Sequence, residues 1–243
     1  MKEQERQARI DTAALYRLVA LNGWDDLVGT HISARIPGDE PRFLLNPYGM
    51  LFEEIRASDL LTIDLDGNQL TESEYTYNRA GFTIHSAVHM HRHDAMYVIH
   101  LHTDHGVAIS CQRDGLKPLN QTAIAIYSDL AYHDYEGVAT NLAERERLVQ
   151  DLGDKNAMIL RNHGTMACGP NPGGAWQAIY RLEKACHYQL LAESGGNTLT
   201  VLSQDIIDSR AGETSTAKLK KRGEFIWPAL LRKLDRLDPS YRE

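Results

Sequence analysis

The chain has 243 residues, of which 42% are hydrophobic and 24% charged, a composition typical of a globular domain with a sizeable core. Its formal net charge is −7, and no basic stripe alternates with aromatic residues, which excludes the surface that nucleic-acid binding requires. Three widely spaced cysteines predict neither a disulfide framework nor a Cys-x-x-Cys metal site. A charged N-terminus and the absence of any run of about 20 apolar residues predict a cytoplasmic protein that does not enter a membrane.

Hydrophobic periodicity along the chain predicts helices that alternate with strands. Turn residues at Pro37-Gly38-Asp39 and at Asp66-Gly67-Asn68 predict two hairpins, which imply antiparallel strands. The helix predicted over 174–193 places Glu183 on its solvated face. The predicted helices cover 10–21, 78–91, 104–111, 141–152, 174–193 and 217–237, and the predicted strands cover 31–36, 42–45, 61–63, 69–70, the segment around His100, segments near Ile124 and Leu130, and 157–160.

This order of elements predicts an α/β fold with a largely antiparallel central sheet whose faces are covered by helices. We expect a single domain over residues 1–243, in which 214–243 forms a C-terminal helical tail.

Three histidines have settings that suit the ligands of one catalytic metal. His100 and His102 lie at the end of a predicted strand, where the period of two places both on one face. His163 follows a second apolar run and precedes Gly164, which permits a sharp turn at a strand end. Three imidazoles that leave one position open are typical of a catalytic rather than a structural zinc site. The alternative is that they are hydrogen-bonded core residues.

The segments around these histidines resemble the class II aldolase/adducin family, over roughly residues 10–204. The similarity rests on Val98-Ile99-His100-Leu101-His102-Thr103, Arg161-Asn162-His163-Gly164 and Asn46-Pro47-Tyr48-Gly49. It implies a three-layer αβα sandwich around a mostly antiparallel sheet. It also implies one divalent metal on His100, His102 and His163 at the subunit interface of a homotetramer. Zinc is the expected metal, with iron, manganese and cobalt as alternatives, and a small-molecule substrate is expected to contact Asn46, Tyr48 and Gly49.

The chain departs from the sugar-phosphate aldolases of this family at the positions that bind and deprotonate substrate. Their acidic residue corresponds to Gly81, and their phosphate-binding pairs correspond to Thr30-His31, Tyr48-Gly49 and Arg79-Ala80. The resemblance therefore implies an unphosphorylated substrate. Arg79 at a helix N-terminus is expected to hold a carboxylate, although a solvated charge in a capping turn is the alternative.

These departures leave several candidates for the proton-transfer group. His31, Arg79, Tyr132 and His133 are the candidate catalytic residues, the last two contributed by another subunit, and Glu72 or Glu74 is an alternative base. His85 and His89 lie one helical turn apart but lack the glutamate of a zincin motif, so we expect His85 to support the pocket without binding metal.

The expected function is that of a metal-dependent lyase, which cleaves a C–C bond of a small carboxylate- or carbonyl-bearing substrate by aldol cleavage or decarboxylation. A non-catalytic adducin-like scaffold and a non-heme iron oxygenase on the same fold are the alternatives.

Overall fold

The computed structural model describes residues 2–38, 41–138 and 141–243, and a seven-stranded sheet runs through the middle of this part of the chain. The strand order is β3-β2-β1-β4-β7-β6-β5, and every neighbouring pair is antiparallel except β5–β6. The strands are β1 His31–Arg35, β2 Arg42–Leu45, β3 Leu61–Asp64, β4 Tyr97–Leu101, β5 Leu130–His133, β6 Ala157–Leu160 and β7 Gly164–Gly169. The α-helices are α1 Glu3–Leu21, α2 Arg79–His91, α3 Asp104–Ser110, α4 Gln121–Tyr127, α5 Glu144–Leu152, α6 Pro172–Ser194, α7 Gln204–Asp208 and α8 Thr216–Leu237.

Side chains alternate across the strands and therefore separate the core into two layers. Ile99 of β4 points into the larger core, with α1, α3, α4, α6 and α8. Val98 points to the other face, where α2 and α5 contribute Val88 and Leu148. The fold is thus the predicted αβα sandwich with a mostly antiparallel sheet. Of the helices described, none is long and apolar enough to cross a membrane.

Most predicted elements are present, but the strand near Ile124 is wrong. That segment forms α4, because the side chain of Asn120 accepts hydrogen bonds from the backbone of Thr122 and Ala123, both at 3.0 Å, and so starts a helix. The first predicted hairpin pairs β1 with β2, although Asp39 of its turn lies outside the described residues. The strand predicted over 69–70 is reduced to a single bridge between Ile63 and Gln69.

The helical tail packs on its own chain. Trp227 of α8 is buried, and its Nε1 donates to Asp11 of α1 at 2.9 Å. Gly223 of α8 lies against Gly173 at the start of α6, where a Cβ on Gly173 would be 2.4 Å from the Gly223 carbonyl oxygen. The close approach of the two helices therefore depends on these glycines.

Candidate metal centre

The ends of β4 and β6 bring three histidines together at one edge of the sheet. One nitrogen of each ring, from His100, His102 and His163, lies within 4.8 Å of the others. His163 reaches this point from the turn between β6 and β7, in which Asn162 has a left-handed φ of 56°. Gly164 is required next, since a Cβ there would lie 2.4 Å from the Leu101 carbonyl oxygen. Donors this close are compatible with tetrahedral zinc, in which Zn–N bonds of 2.0–2.1 Å place neighbouring nitrogens about 3.3 Å apart.

Hydrogen bonds on the far side of two rings orient their metal-facing nitrogens. His100 Nδ1 donates to the Thr165 carbonyl oxygen at 2.9 Å, and His102 Nδ1 donates to the Asp26 carboxylate at 2.9 Å. The two Nε2 atoms then present lone pairs to each other across only 3.0 Å. Such a pair requires a cation between the nitrogens, either an extra proton or a metal ion.

Burial disfavours an extra proton on His100 and His163. It lowers the pKa of His100 well below the ordinary value, and the neighbouring His31, His163 and His102 lower it further. The pKa of His163 falls to about 4, again mainly through burial, with contributions from His102 and His133. Neutral imidazoles are the form that binds a divalent metal, so the donor set suits the metal that the sequence predicts.

A buried carboxylate supports the centre from behind. Glu183 of α6 is only 3% exposed and accepts hydrogen bonds from the hydroxyl groups of Thr103 and Thr165. Burial raises its pKa to about 7, although both threonines act against the shift. The carbonyl oxygen of Thr165 also accepts a hydrogen bond from His100, and Thr103 directly follows His102 in the chain. Glu183 therefore fixes two residues that adjoin the candidate ligands. The predicted solvated position of Glu183 is wrong. Gly106 of α3 leaves room for the contact, since a Cβ there would lie 2.8 Å from Thr103 Oγ1 and 3.2 Å from Glu183 Oε1.

His31 fills the space in which a side chain at position 81 would begin. It is 2% exposed, and its ring centroid lies 4.9 Å from that of His100. A Cβ on Gly81 would lie 2.6 Å from His31 Cδ2, closer than real Cβ contacts allow. His31 Nδ1 shares a hydrogen bond of 2.8 Å with His85 Nε2. The imidazole at 31 and the glycine at 81 are therefore sterically linked.

The predicted substrate residues have different degrees of exposure. The end of β2 lies at the same sheet edge as His31 and His100, as the strand register shows. Asn46 follows β2, is 3% exposed, and accepts a hydrogen bond from the Tyr16 hydroxyl group at 2.9 Å. Tyr48 is 47% exposed, and Gly49 has a φ of 110° in the same loop.

Arg79 is the first residue of α2, where its side chain is exposed. Asn78 caps this helix by accepting from the backbone of Ala80 at 2.9 Å. The backbone N–H groups of a helix N-terminus attract negative charge. An anion near Arg79 would therefore be stabilised both by the guanidinium group and by the helix N-terminus.

Tyr132 and His133 point to opposite faces of β5. The Tyr132 hydroxyl group accepts from the backbone of Leu116 at 3.0 Å, and the Arg161 guanidinium lies 4.7 Å from the ring centroid, so this side chain packs within its own chain. His133 Nδ1 donates to Asp151 at 2.7 Å, while its Nε2 lies 3.6 Å from a Glu144 oxygen. His133 and the candidate ligand His163 both line one small cavity.

Comparison with known proteins assigns the family. Residues 10–190 match the model of the class II aldolase and adducin N-terminal domain. A Caulobacter vibrioides protein, provisionally named as an aldolase class 2 protein, is 51% identical over all of this chain and 95% of its own length. Mouse alpha-adducin is 36% identical over 96% of this chain, which covers 34% of the adducin. The chain belongs to the class II aldolase and adducin family.

Solved structures agree with this assignment. An aldolase II superfamily protein from Pseudomonas syringae is 43% identical, covers 100% of this chain and 98% of its own, and superposes with a TM-score of 0.91. The L-fuculose 1-phosphate aldolase from Glaciozyma antarctica shares the fold, with a TM-score of 0.85 at 24% identity over 98% and 93% of the two chains.

The hydrogen bond from His102 to Asp26 predicts a measurable effect on metal affinity. We expect Asp26→Ala to weaken zinc binding about 10- to 100-fold, because the carboxylate orients His102 and increases its basicity. Asp25→Ala is the matched control. Competition with a chromogenic chelator measures both affinities, and equal affinities in the two variants would contradict the role of Asp26.

Buried neutral histidines predict a loss of stability in acid. Burial lowers the pKa of His31 and His85 well below the ordinary value, so unfolding takes up protons below about pH 6.5. Their contribution is fully present above that pH and is lost as the pH falls, by up to about 1.4 kcal/mol per pH unit for each histidine. Urea unfolding of metal-free protein between pH 7.5 and 5.5 should show this slope. His85→Asn should reduce it by one proton, and the exposed control His93→Asn should not.

Proposed function

We propose that this protein is a metal-dependent lyase, which cleaves a C–C bond of a small unphosphorylated substrate by aldol cleavage or decarboxylation. One observation carries the proposal: three imidazoles converge, two of them with Nε2 lone pairs directed at each other. His100, His102 and His163 would hold one divalent metal, zinc in the first instance, which when bound acts as a Lewis acid toward a carbonyl or hydroxyl oxygen.

The chain's own residues would bind the substrate and move its proton. Arg79 would hold a substrate carboxylate through paired hydrogen bonds at the N-terminus of α2. The loop that contains Asn46, Tyr48 and Gly49 would border the pocket at the same sheet edge. His31 lies nearest to the place of the absent acid at position 81, and we assign it the proton transfer.

We propose that Tyr132 and His133 contribute to the active site of a neighbouring subunit. This role requires an oligomer, and we propose the homotetramer that the resemblance implies, built from one domain per chain. Light scattering at micromolar concentration should give the mass of four chains, because a large apolar interface would persist there. A monomer would remove Tyr132 and His133 from the proposed mechanism.

Similarity to adducin supports a second candidate, a protein-binding scaffold without catalysis. Mouse alpha-adducin is 36% identical over nearly the whole of this chain. A non-heme iron oxygenase is the third candidate, because imidazole ligands suit iron as well as zinc. Metal analysis of protein purified without chelators distinguishes the three: no metal favours the scaffold, iron with oxygen consumption favours the oxygenase, and zinc with C–C cleavage favours the lyase.

Replacement of Arg79 tests the carboxylate. On a substrate found by screening keto and aromatic carboxylic acids, Arg79→Ala should raise KM about 10- to 100-fold, the equivalent of one lost charge-assisted interaction, with metal content unchanged. His102→Ala should lose metal and activity together. The exposed control Arg232→Ala should match the wild type. Unchanged kcat/KM in Arg79→Ala, or efficient turnover of fuculose phosphate by the wild type, would exclude an unphosphorylated carboxylate substrate.

A further inference from the structure

A continuous line of buried polar side chains leads away from the candidate metal centre. His31 Nδ1 shares a hydrogen bond of 2.8 Å with His85 Nε2, and His85 Nδ1 shares a short one with the Ser33 hydroxyl group. The same hydroxyl group lies 2.7 Å from His89 Nε2. None of these four residues is more than 2% exposed, and they pair their polar atoms with one another, except for His89 Nδ1, which has no hydrogen-bond partner in the described part of the chain.

The fold builds this line by interleaving a strand with a helix. His31, Ser33 and Arg35 alternate along β1 and point toward α2, whereas His85 and His89 lie one turn apart on α2. The order across the interface is therefore His31, His85, Ser33, His89. Arg35 lies at the far end, where its positive charge adds to the effect of burial in lowering the pKa of His89.

Solvent can reach this far end more easily than the rest of the line. Arg35 is half-buried, and its Nε and Nη2 have no hydrogen-bond partner in the described part of the chain. Buried donors of this kind are generally satisfied by ordered water. One end of the line thus borders the metal centre, and the other borders a place that suits water.

Only two arrangements of protons satisfy the line without a charge. Each neutral imidazole has one N–H, and Ser33 has one O–H. If Ser33 donates to His85, then His85 donates to His31, whose proton lies on Nε2. If Ser33 donates to His89, then His85 donates to Ser33 and His31 Nδ1 donates to His85. In this arrangement Nε2 of His31 has a free lone pair. The line therefore sets whether His31 is an acid or a base at the nitrogen left for the substrate.

We infer that His85, Ser33 and His89 form a proton relay that switches the tautomer of His31. This inference rests on the lyase function proposed above. When His31 Nε2 takes a proton from the substrate, its Nδ1 proton passes to His85 Nε2, and the His85 Nδ1 proton passes to Ser33. The Ser33 proton passes to His89 Nε2, and His89 releases its Nδ1 proton to water. One proton enters, one leaves, and no ring keeps a charge.

Burial is compatible with this neutral relay and not with an imidazolium. It lowers the pKa of His85 well below the ordinary value and that of His89 to about 3. His31 touches the substrate and is the catalytic residue, whereas the other three act through it as positioning residues.

Ser33→Ala breaks the relay at its centre with little change in volume, and Ser86→Ala is the matched control. Ser86 is equally buried and donates to the Thr83 carbonyl oxygen, at 3.3 Å. ¹⁵N spectra of histidine-labelled, zinc-loaded protein report the tautomers directly. We expect a coupling across the hydrogen bond between His31 and His85. We also expect Ser33→Ala to change the ring shifts of His31, because Ser33 is linked to His31 through His85.

Unchanged His31 shifts in Ser33→Ala would overturn the relay, as would a metal-bound shift at His31 Nε2.

A second measurement follows exchange of the carbon-bound protons of pyruvate and hydroxyacetone in D₂O. Ser33→Ala should slow this exchange about 10- to 100-fold at equal metal content, and Ser86→Ala should stay within about twofold. Exchange that is equally fast in both variants would also overturn the relay. If the wild type exchanges neither compound and cleaves no screened acid, the lyase proposal fails, while the spectra still decide whether the four side chains are coupled.

Discussion

The arrangement of this molecule depends on the need to satisfy imidazoles in a place that water does not reach freely. The carbonyl oxygen of Thr165 and the carboxylate of Asp26 each accept a hydrogen bond from one ring, and this forces two Nε2 lone pairs to face each other. An unsatisfied buried polar atom costs about 1–3 kcal/mol, so the pair is stable only with a cation between the nitrogens. The antiparallel register of β1, β4 and β7 is what places these groups at one edge.

The sequence allowed the three candidate ligands to be recognised because each is set by local pattern. A period of two orients His100 and His102, and a glycine after His163 indicates a strand end. The αβα fold was predicted for the same reason, with the family resemblance supplying its layers. The prediction of a strand near Ile124 is wrong because it followed the β-branched residues of this segment. Asn120, which caps the helix formed there, was given less weight.

The supporting residues could not be predicted from local pattern, because they depend on contacts between distant segments. Glu183 lies close to the charged residues Arg181 and Lys184 in the sequence, and only the contact with Thr103 and Thr165 reveals that it is buried. His85 and His89 were recognised as a helical pair, but their partner Ser33 lies about fifty residues earlier in the chain. The small residues that permit such contacts carry no chemical signal of their own.

The differences from the sugar-phosphate aldolases that the sequence predicts at positions 31 and 81 amount to one structural change rather than two. His31 lies where the first carbon of a side chain at 81 would be, so an acidic residue there and this imidazole exclude each other. An imidazole that replaces a carboxylate needs its second nitrogen satisfied, and His85 provides this at 2.8 Å. His85 in turn needs Ser33. The glycine at 81, the histidine at 31 and the buried side chains behind it therefore form a single unit, and each member is explained by the one before it.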